Sequence, residues 1–190
     1  MIMKTYILPA LKITLSTALL FGIIYPLFIA GIAHFIAPDE GDGEVIELNS
    51  KKIGFVLLGQ SFSSERYFNS RPSAVNYNAA STGGSNKGPG NPDYLKQVEE
   101  RINDILKTNP GISKKEIPID IITASGGGLD PHISPQAAMF QIQRIAKARG
   151  LSEEKLKVLV DRHIQRPLFG LLGPSTVHVL YLNLDLDQLH

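Results

Sequence analysis

The chain has 190 residues, which is enough for one ordinary domain and a short additional segment. It contains no cysteine, so disulfide bridges, thiolate metal sites and cysteine nucleophiles are excluded. The formal net charge is +1, and the first 36 residues contribute two lysines and no acidic residue to it. The remainder is therefore close to neutral, and nucleic acid is an unsuitable partner because it selects strongly basic surfaces.

The first predicted element is a transmembrane helix. No Asp, Glu, Lys or Arg occurs from Ile13 to Ile36, and these 24 residues exceed the roughly 20 that span a bilayer as a helix. Lys4 and Lys12 precede the segment, and positively charged flanks stay on the cytoplasmic side. The sequence thus predicts a cytoplasmic N-terminus at residues 1–12, a single-pass helix at 13–36 and an extracytoplasmic domain behind it.

Two further patterns lie inside this segment. Gly31-Ile32-Ala33 is an acceptable cleavage site, so a signal peptide is the alternative to an anchor, although its apolar part would be unusually long.

Small residues and one proline recur every four positions, a spacing that lets a second helix approach closely and predicts packing within the membrane. These positions are Thr14, Ala18, Gly22, Pro26 and Ala30. Pro26 is expected to kink the helix, and a plain anchor with small residues at chance positions stays open.

Behind the helix, composition divides the chain into a linker and a domain. Residues 37–50 are acidic and contain glycine, which predicts a linker, and residues 51–190 form the domain. Ile53–Leu58 is a short apolar run that predicts a buried strand. Residues 69–92 consist mostly of Asn, Ser, Gly and Pro and show neither a helical nor a strand period. A loop this long predicts a partner-binding loop or a lid, with a plain surface excursion as the alternative.

Three helices of the domain are predicted from their capping residues. The first begins at the N-cap Asn91, with proline at its first position, and ends near Asn109-Pro110. The second follows Ser134 and ends at Gly150. The third follows Ser152, and two glutamates occupy its first turn, where the helix dipole favours negative charge.

Two further strands are predicted from their apolar patterns. Ile117–Thr123 contains three isoleucines behind a proline, and Val177–Leu186 alternates between apolar and other residues. Because strands and helices alternate along the chain, the fold class is α/β or α+β, with a single N-terminal transmembrane helix followed by one mixed extracytoplasmic domain.

Residues 123–134 form a glycine-rich turn that contains most of the candidate chemistry. Residues 123–127 partly match a nucleophile elbow around Ser125, but its first glycine is replaced, so a membrane-anchored or secreted serine hydrolase is only the alternative function. Gly126-Gly127-Gly128 precedes a helix as in a phosphate cradle, yet the lysine of a P-loop is missing. Asp130 and His132 are too few for a metal site, so no metal is predicted and a hydrogen-bonded turn is favoured.

A series of motifs runs in order along nearly the whole chain. They are Tyr25-Pro26-Leu27, Gly59-Gln60-x-Phe62, Tyr67-Phe68-x-x-Arg71-Pro72-Ser73-Ala74, Tyr77-Asn78, Gly83-Gly84-Ser85-Asn86, Gly88-Pro89, Thr123-Ala124-Ser125-Gly126, Gly128-Leu129-Asp130-Pro131-His132-Ile133-Ser134, Arg149-Gly150-Leu151, Leu180 and Leu182-Asn183-Leu184. With these motifs the chain resembles the C subunit of the Kdp potassium-transporting ATPase. It departs from the family pattern at Gly127, Pro174-Ser175-Thr176 and His178.

The resemblance implies a noncatalytic subunit of a bacterial inner-membrane complex that transports K⁺ into the cytoplasm. Its partners would be a channel-like A subunit that selects potassium and a P-type ATPase B subunit that hydrolyses ATP. The family is described as a catalytic chaperone that raises the ATP affinity of the B subunit. ATP is accordingly the implied ligand, at Ser81-x-Gly83-Gly84-Ser85, and no covalent cofactor is implied. The topology predicted from the charged flanks, in contrast, keeps the domain away from cytoplasmic ATP.

The loop at 69–92 and the turn at 123–134 are predicted to form the surface that meets the partner subunits. The loop is longer than a connector requires, and its polar groups suit a hydrated interface. Arg71 is the expected anchor, because a planar guanidinium binds carboxylates and carbonyls with two parallel hydrogen bonds. No catalytic residue is predicted. The interface candidates are Arg71, Tyr77, Asn78, Asn86, Asp130 and His132.

Overall fold

The structure is a computed structural model that describes residues 2–48 and 50–189. The chain divides into two compact units, an N-terminal unit, Met1–Phe55, and a C-terminal unit, Val56–His190.

A long apolar helix opens the N-terminal unit. It consists of α1, Ile2–Leu19, and α2, Tyr25–Ile36, which a wider π-helical turn at Leu20–Ile24 joins. Tyr6–Ile36 is long and apolar enough to cross a membrane, and none of its most apolar stretch is buried. The predicted transmembrane element is therefore present as a helix whose apolar surface is free to meet lipid.

The wider turn is explained by Pro26. A proline has no N–H and clashes with the carbonyl four residues earlier, so the regular hydrogen-bond ladder cannot continue through it. The helix takes up this defect just before the proline, where the N–H of Tyr25 donates to the carbonyl of Leu20 five residues back. The predicted disturbance at Pro26 thus takes the form of one widened turn.

A β-hairpin completes the N-terminal unit. Strand β1, Val45–Leu48, pairs antiparallel with β2, Lys51–Phe55. Residues 37–50, interpreted as a linker, therefore include a strand. The buried strand expected at Ile53–Leu58 is wrong in its bounds and its burial, because the strand begins two residues earlier and its side chains are exposed or half-buried. A short apolar run does not reveal how many layers cover it.

In the described part of the C-terminal unit, four α-helices are present. They are α3, Pro92–Thr108, α4, Pro135–Arg149, α5, Glu153–His163, and α6, Val179–Asp187. The predicted caps of the first three are confirmed, since the side chains of Asn91, Ser134 and Ser152 each accept a hydrogen bond from the backbone N–H three residues on. Gly150 ends α4 with a φ of 68°, a left-handed conformation that glycine adopts without strain.

Three short strands form an antiparallel sheet in the order β3-β5-β4. They are β3, His132–Ile133, β4, Ile164–Gln165, and β5, Thr176–His178. In this register His132 lies opposite His178, and Ile133 and Ile164 lie on either side of Val177. With antiparallel strands and helices packed beside them, the architecture is α+β, one of the two predicted classes.

Two predicted strands are corrected by the structure. Ile117–Thr123 is not a strand, because its centre, Ile119–Ile121, forms a single 3₁₀ turn. Val177–Leu186 is strand only as far as His178, after which α6 begins. The apolar residues of this second segment fit a helical as well as an alternating period, and the side chain of His178 caps the helix by accepting from the N–H of Tyr181.

The core of the C-terminal unit lies between the helices and the small sheet. Phe68, which precedes the long loop, is fully buried in it together with apolar residues of α4, α5, α6 and β5. The core residues are Phe68, Ile133, Ala137, Ala138, Ile142, Ile145, Ala146, Leu156, Leu159, Val160, Val177, Val179, Leu182 and Leu186. The loop that follows Phe68 therefore starts from a fixed point.

Candidate functional site

The long loop, residues 69–92, is clamped at its start by two buried amide side chains. Asn183 of α6 accepts from the N–H of Phe68 at 2.8 Å and donates to its carbonyl at 2.9 Å. Gln141 of α4 does the same for Asn69, at 2.7 and 3.2 Å. Because the backbone polar groups are satisfied inside the core, the loop is held as tightly as a strand would be at this point.

The middle of the long loop lies against the glycine-rich turn, residues 123–134. The N–H of Gly83 donates to the carbonyl of Gly127 at 3.0 Å, and the hydroxyl of Thr82 donates to the same oxygen at 2.8 Å. The N–H of Ser125 in turn donates to the carbonyl of Pro72 at 3.1 Å. The two segments that the sequence singled out therefore form one continuous surface, which we call the loop–turn surface.

Close backbone approach explains the glycines on this surface. A Cβ added to Gly84 would lie 2.6 Å from the carbonyl oxygen of Gly126. Gly128 has a φ of 73°, and a Cβ there would lie 2.7 Å from the side chain of Val75. A residue with a side chain would separate the loop from the turn, so both glycines have a packing role that needs no bound phosphate.

Arg71 bridges the two segments. Its Nη1 lies 3.4 Å from Oδ2 of Asp130, and its Nη2 donates to the carbonyl of Ala124 at 3.4 Å. The Nε is buried and has no hydrogen-bond partner among the described residues. The hydroxyl of Tyr77 donates to the backbone carbonyl of Arg71 at 2.5 Å, which fixes the backbone beneath a loosely bound guanidinium.

Asp130 and His132 continue this set of contacts. The backbone N–H of His132 donates to Oδ1 of Asp130 at 3.0 Å, and the ring Nδ1 of His132 lies 3.4 Å from the same oxygen. Burial raises the pKa of Asp130, but hydrogen bonds from His132 and the charge of Arg71 outweigh it, so this pKa lies below its ordinary value. The carboxylate is therefore ionised at neutral pH and balances the guanidinium.

A second histidine lies behind the first. The rings of His132 and His178 meet edge to face, with centroids 5.1 Å apart. Nε2 of His178 lies 2.6 Å from the carbonyl oxygen of Val56, and Nδ1 accepts from the N–H of Tyr181, so the proton of the neutral ring resides on Nε2. Burial lowers the pKa of His178, which keeps the ring neutral.

The structure brings four of the six interface candidates together. Arg71, Asp130 and His132 line a cleft of about 340 Å³, and the Tyr77 hydroxyl contacts the backbone of Arg71. Asn78 and Asn86 are exposed elsewhere on the long loop, where Asn78 accepts from the N–H of Ala80.

The amides that clamp the loop were not among the residues selected from the sequence. Asn183 and Gln141 are polar residues within otherwise buried helical faces, and this position is the signal that could have revealed them.

A polar cleft of about 410 Å³ borders the long loop on another side and is the place to test for ATP. Its lining includes Gly84, Ser85, Lys87 and Arg101. Two cations and no acidic residue line it in the described part of the chain, which fits an anion such as a phosphate group. The fit to the family-implied residues is partial, because the N–H of Gly83 is already bonded to Gly127 and Ser81 lies outside the lining.

The position of Ser125 argues against the hydrolase alternative. Ser125 is only 3% exposed, so its hydroxyl is not presented to a substrate. Its backbone instead belongs to the hydrogen bonds between turn and loop. A serine nucleophile must stand exposed beside a base, and this serine is part of the packing.

Comparison with known proteins shows what the chain is similar to. The profile of the family described as KdpC, K⁺-transporting ATPase, c chain, matches residues 7–188. A potassium-transporting ATPase KdpC subunit of Flavobacterium psychrophilum is 53% identical over 179 residues, which cover 94% of this chain and 96% of the relative. The KdpC subunit of Caldanaerobacter subterraneus is 47% identical over 93% of this chain and 91% of its own length. That of Phocaeicola vulgatus is 45% identical over 98% of this chain and 99% of its own length.

Proposed function

The chain belongs to the KdpC family of K⁺-transporting ATPase c chains, and from this premise we propose that it is the noncatalytic accessory subunit of an ATP-driven potassium uptake complex. The observation that carries the proposal is the match to the family along nearly the whole chain, with the apolar helix included. The subunit assembles with a channel-like potassium-selecting subunit and a P-type ATPase subunit and promotes K⁺ transport into the cytoplasm of a bacterial cell.

In this proposal the C-terminal unit lies outside the cytoplasm. The support is the pair of lysines, Lys4 and Lys12, before an uncharged span. A unit on that side cannot contact cytoplasmic ATP, so it raises the activity of the ATPase subunit indirectly. It does so by binding one conformation of the potassium-selecting subunit more tightly than the other, since differential affinity is all that such coupling requires.

The loop–turn surface is the part that binds the partner. Arg71 is suited to this role because both side-chain hydrogen bonds of its guanidinium are long, at 3.4 Å. A carboxylate or carbonyl of the partner can therefore form short, charge-assisted hydrogen bonds with the guanidinium without breaking strong internal hydrogen bonds. Asp130 holds the guanidinium near this orientation until the partner arrives.

The test is Arg71→Ala in the assembled complex. A charged hydrogen bond contributes about 1.5–3 kcal/mol, so we expect at least a roughly tenfold loss of K⁺-dependent ATPase activity at limiting subunit. The melting temperature of the isolated full chain in detergent should change little, because the internal bonds of Arg71 are long. Lys96→Ala, which removes an exposed cation from α3, is the matched control. Unchanged ATPase activity, or a chain that no longer folds, would refute the assigned role of Arg71.

A further inference from the structure

The loop between β4 and β5 exposes a concentration of large apolar side chains. We call residues 166–175 the apolar loop. None of its four large apolar residues belongs to the core of the C-terminal unit. Their exposed fractions are 62% for Leu168, 84% for Phe169, 85% for Leu171 and 62% for Leu172. Single exposed leucines are ordinary, but a contiguous group of this kind marks a surface that binds something apolar.

The apolar loop is ordered by its own hydrogen bonds. Leu168 and Leu172 exchange both backbone hydrogen bonds, at 3.1 and 3.0 Å, and the N–H of Leu171 also donates to Leu168. The N–H of Gly170 donates to the carbonyl of Pro167 at 2.9 Å. Prolines at both ends of the loop carry no N–H. Most backbone donors of the tip are therefore satisfied within it, which is the condition for entering a medium that offers no hydrogen bonds.

The charges around the loop favour lipid as its partner. Between Asp161 and Asp185 the chain carries no acidic residue. Arg162 lies shortly before the loop, Arg166 is its first residue, and both are exposed. Asp185 is itself paired with His163 at 3.1 Å. An apolar tip with cations at its base matches the boundary between anionic headgroups and acyl chains.

The chain also carries a helix that can anchor it in a bilayer. Tyr6–Ile36 can span a membrane, so a bilayer is tethered to the same molecule and binding of the loop to lipid becomes intramolecular. A contact too weak for a free protein is then sufficient. From these observations we propose that the apolar loop inserts its leucine and phenylalanine side chains into the interface of an anionic bilayer.

The experiment uses the absence of native cysteine. Leu171→Cys is labelled with an environment-sensitive fluorophore in the full chain, which is reconstituted into nanodiscs of phosphatidylcholine and phosphatidylglycerol containing brominated lipid. Val158→Cys, at an exposed apolar position of α5, is the matched control. We expect a blue-shifted emission and at least threefold stronger quenching at position 171 than at position 158. Replacing phosphatidylglycerol by phosphatidylcholine, or Arg166 by Gln, should reduce that quenching.

A second variant excludes insertion driven by the fluorophore itself. Phe169→Ser combined with Leu172→Ser, with the probe still at position 171, should lose the quenching, because the neighbouring apolar contacts are gone. Equal quenching at positions 171 and 158 would overturn the proposal. Quenching that survives the double substitution would overturn it as well. A probe at 171 that is shielded only when the partner subunits are added would assign the loop to a protein groove instead of lipid.

Discussion

His178 shows how one side chain connects the strand, the helix and the segment that enters the C-terminal unit. Its ring contacts the carbonyl of Val56, caps α6 and meets the ring of His132. Protonation would place a donor at Nδ1, where the N–H of Tyr181 already points, and would put a charge beside His132. The neutral ring is therefore part of the folded structure.

The lowered pKa of His178 predicts how stability depends on pH. Because burial lowers the folded-state pKa below the ordinary 6.5, the unfolded chain binds the proton first as the pH falls. The stability that the neutral His178 ring contributes is complete above pH 6.5, and it is lost as the pH falls from 6.5 to the lower folded-state pKa. Because a single proton is involved, the free energy of unfolding can change by at most about 1.4 kcal/mol per pH unit.

Thermal unfolding of the full chain in detergent between pH 7.5 and 4.5 measures this effect. In His178→Asn the decrease of stability over that range should be smaller. His132→Asn is the matched control, and it should keep most of the decrease. Identical pH profiles for the wild type and His178→Asn would show that another group titrates. The Asp130 carboxyl does not interfere, since its lowered pKa moves its loss of stability to still lower pH.

At the scale of elements, local signals predicted α3, α4 and α5 but failed for α6, which was predicted as a strand, and for the strands. Asn91, Ser134 and Ser152 cap helices through bonds that span three residues, so the sequence contains all the participants. A strand of two or three residues exists only because a distant segment pairs with it, as Val177 does with Ile164. The strand predicted at Ile117–Thr123 found no such partner and became a 3₁₀ turn.

The transmembrane helix carries a prediction about packing. A Cβ added at Gly22 would meet no atom within 4 Å, so the chain itself gives no reason for glycine at this position. Gly22→Leu should therefore leave the helix intact and reduce co-purification with the larger subunits several-fold, by blocking the approach of a second helix. Leu20→Phe, in the same widened turn, is the control and should matter less. Equal losses for both variants would reduce the helix to a simple anchor.

At the scale of the whole molecule, the predicted orientation can be mapped directly. Single cysteines at Lys4 and Ser50 lie on opposite flanks of the span. An impermeant maleimide added to intact cells with a permeabilised outer membrane should label the cysteine at position 50 and not the one at position 4. Both should react after the inner membrane is opened, which controls for reactivity. Labelling at position 4 with protection at position 50 would reverse the proposed topology.

The same orientation decides the role of ATP. If the C-terminal unit lies outside, we expect no saturable heat when the full chain in detergent is titrated with millimolar ATP, while K⁺-dependent ATPase activity of the complex still requires the subunit. Binding that is lost in Lys87→Ala, together with an inside location, would instead assign the nucleotide to the polar cleft. Lys96→Ala, an exposed cation outside that cleft, serves as the control.

The sequence by itself determined the apolar span, the three capped helices and the family, because these depend on neighbouring residues or on motifs in order. It also selected Arg71, Asp130 and His132 as candidates, but not their arrangement. Only the tertiary structure decided that the long loop closes onto the glycine-rich turn and that buried amides hold its start. Those contacts join positions more than 40 residues apart. The packing of the whole core decides which polar groups pair over such separations.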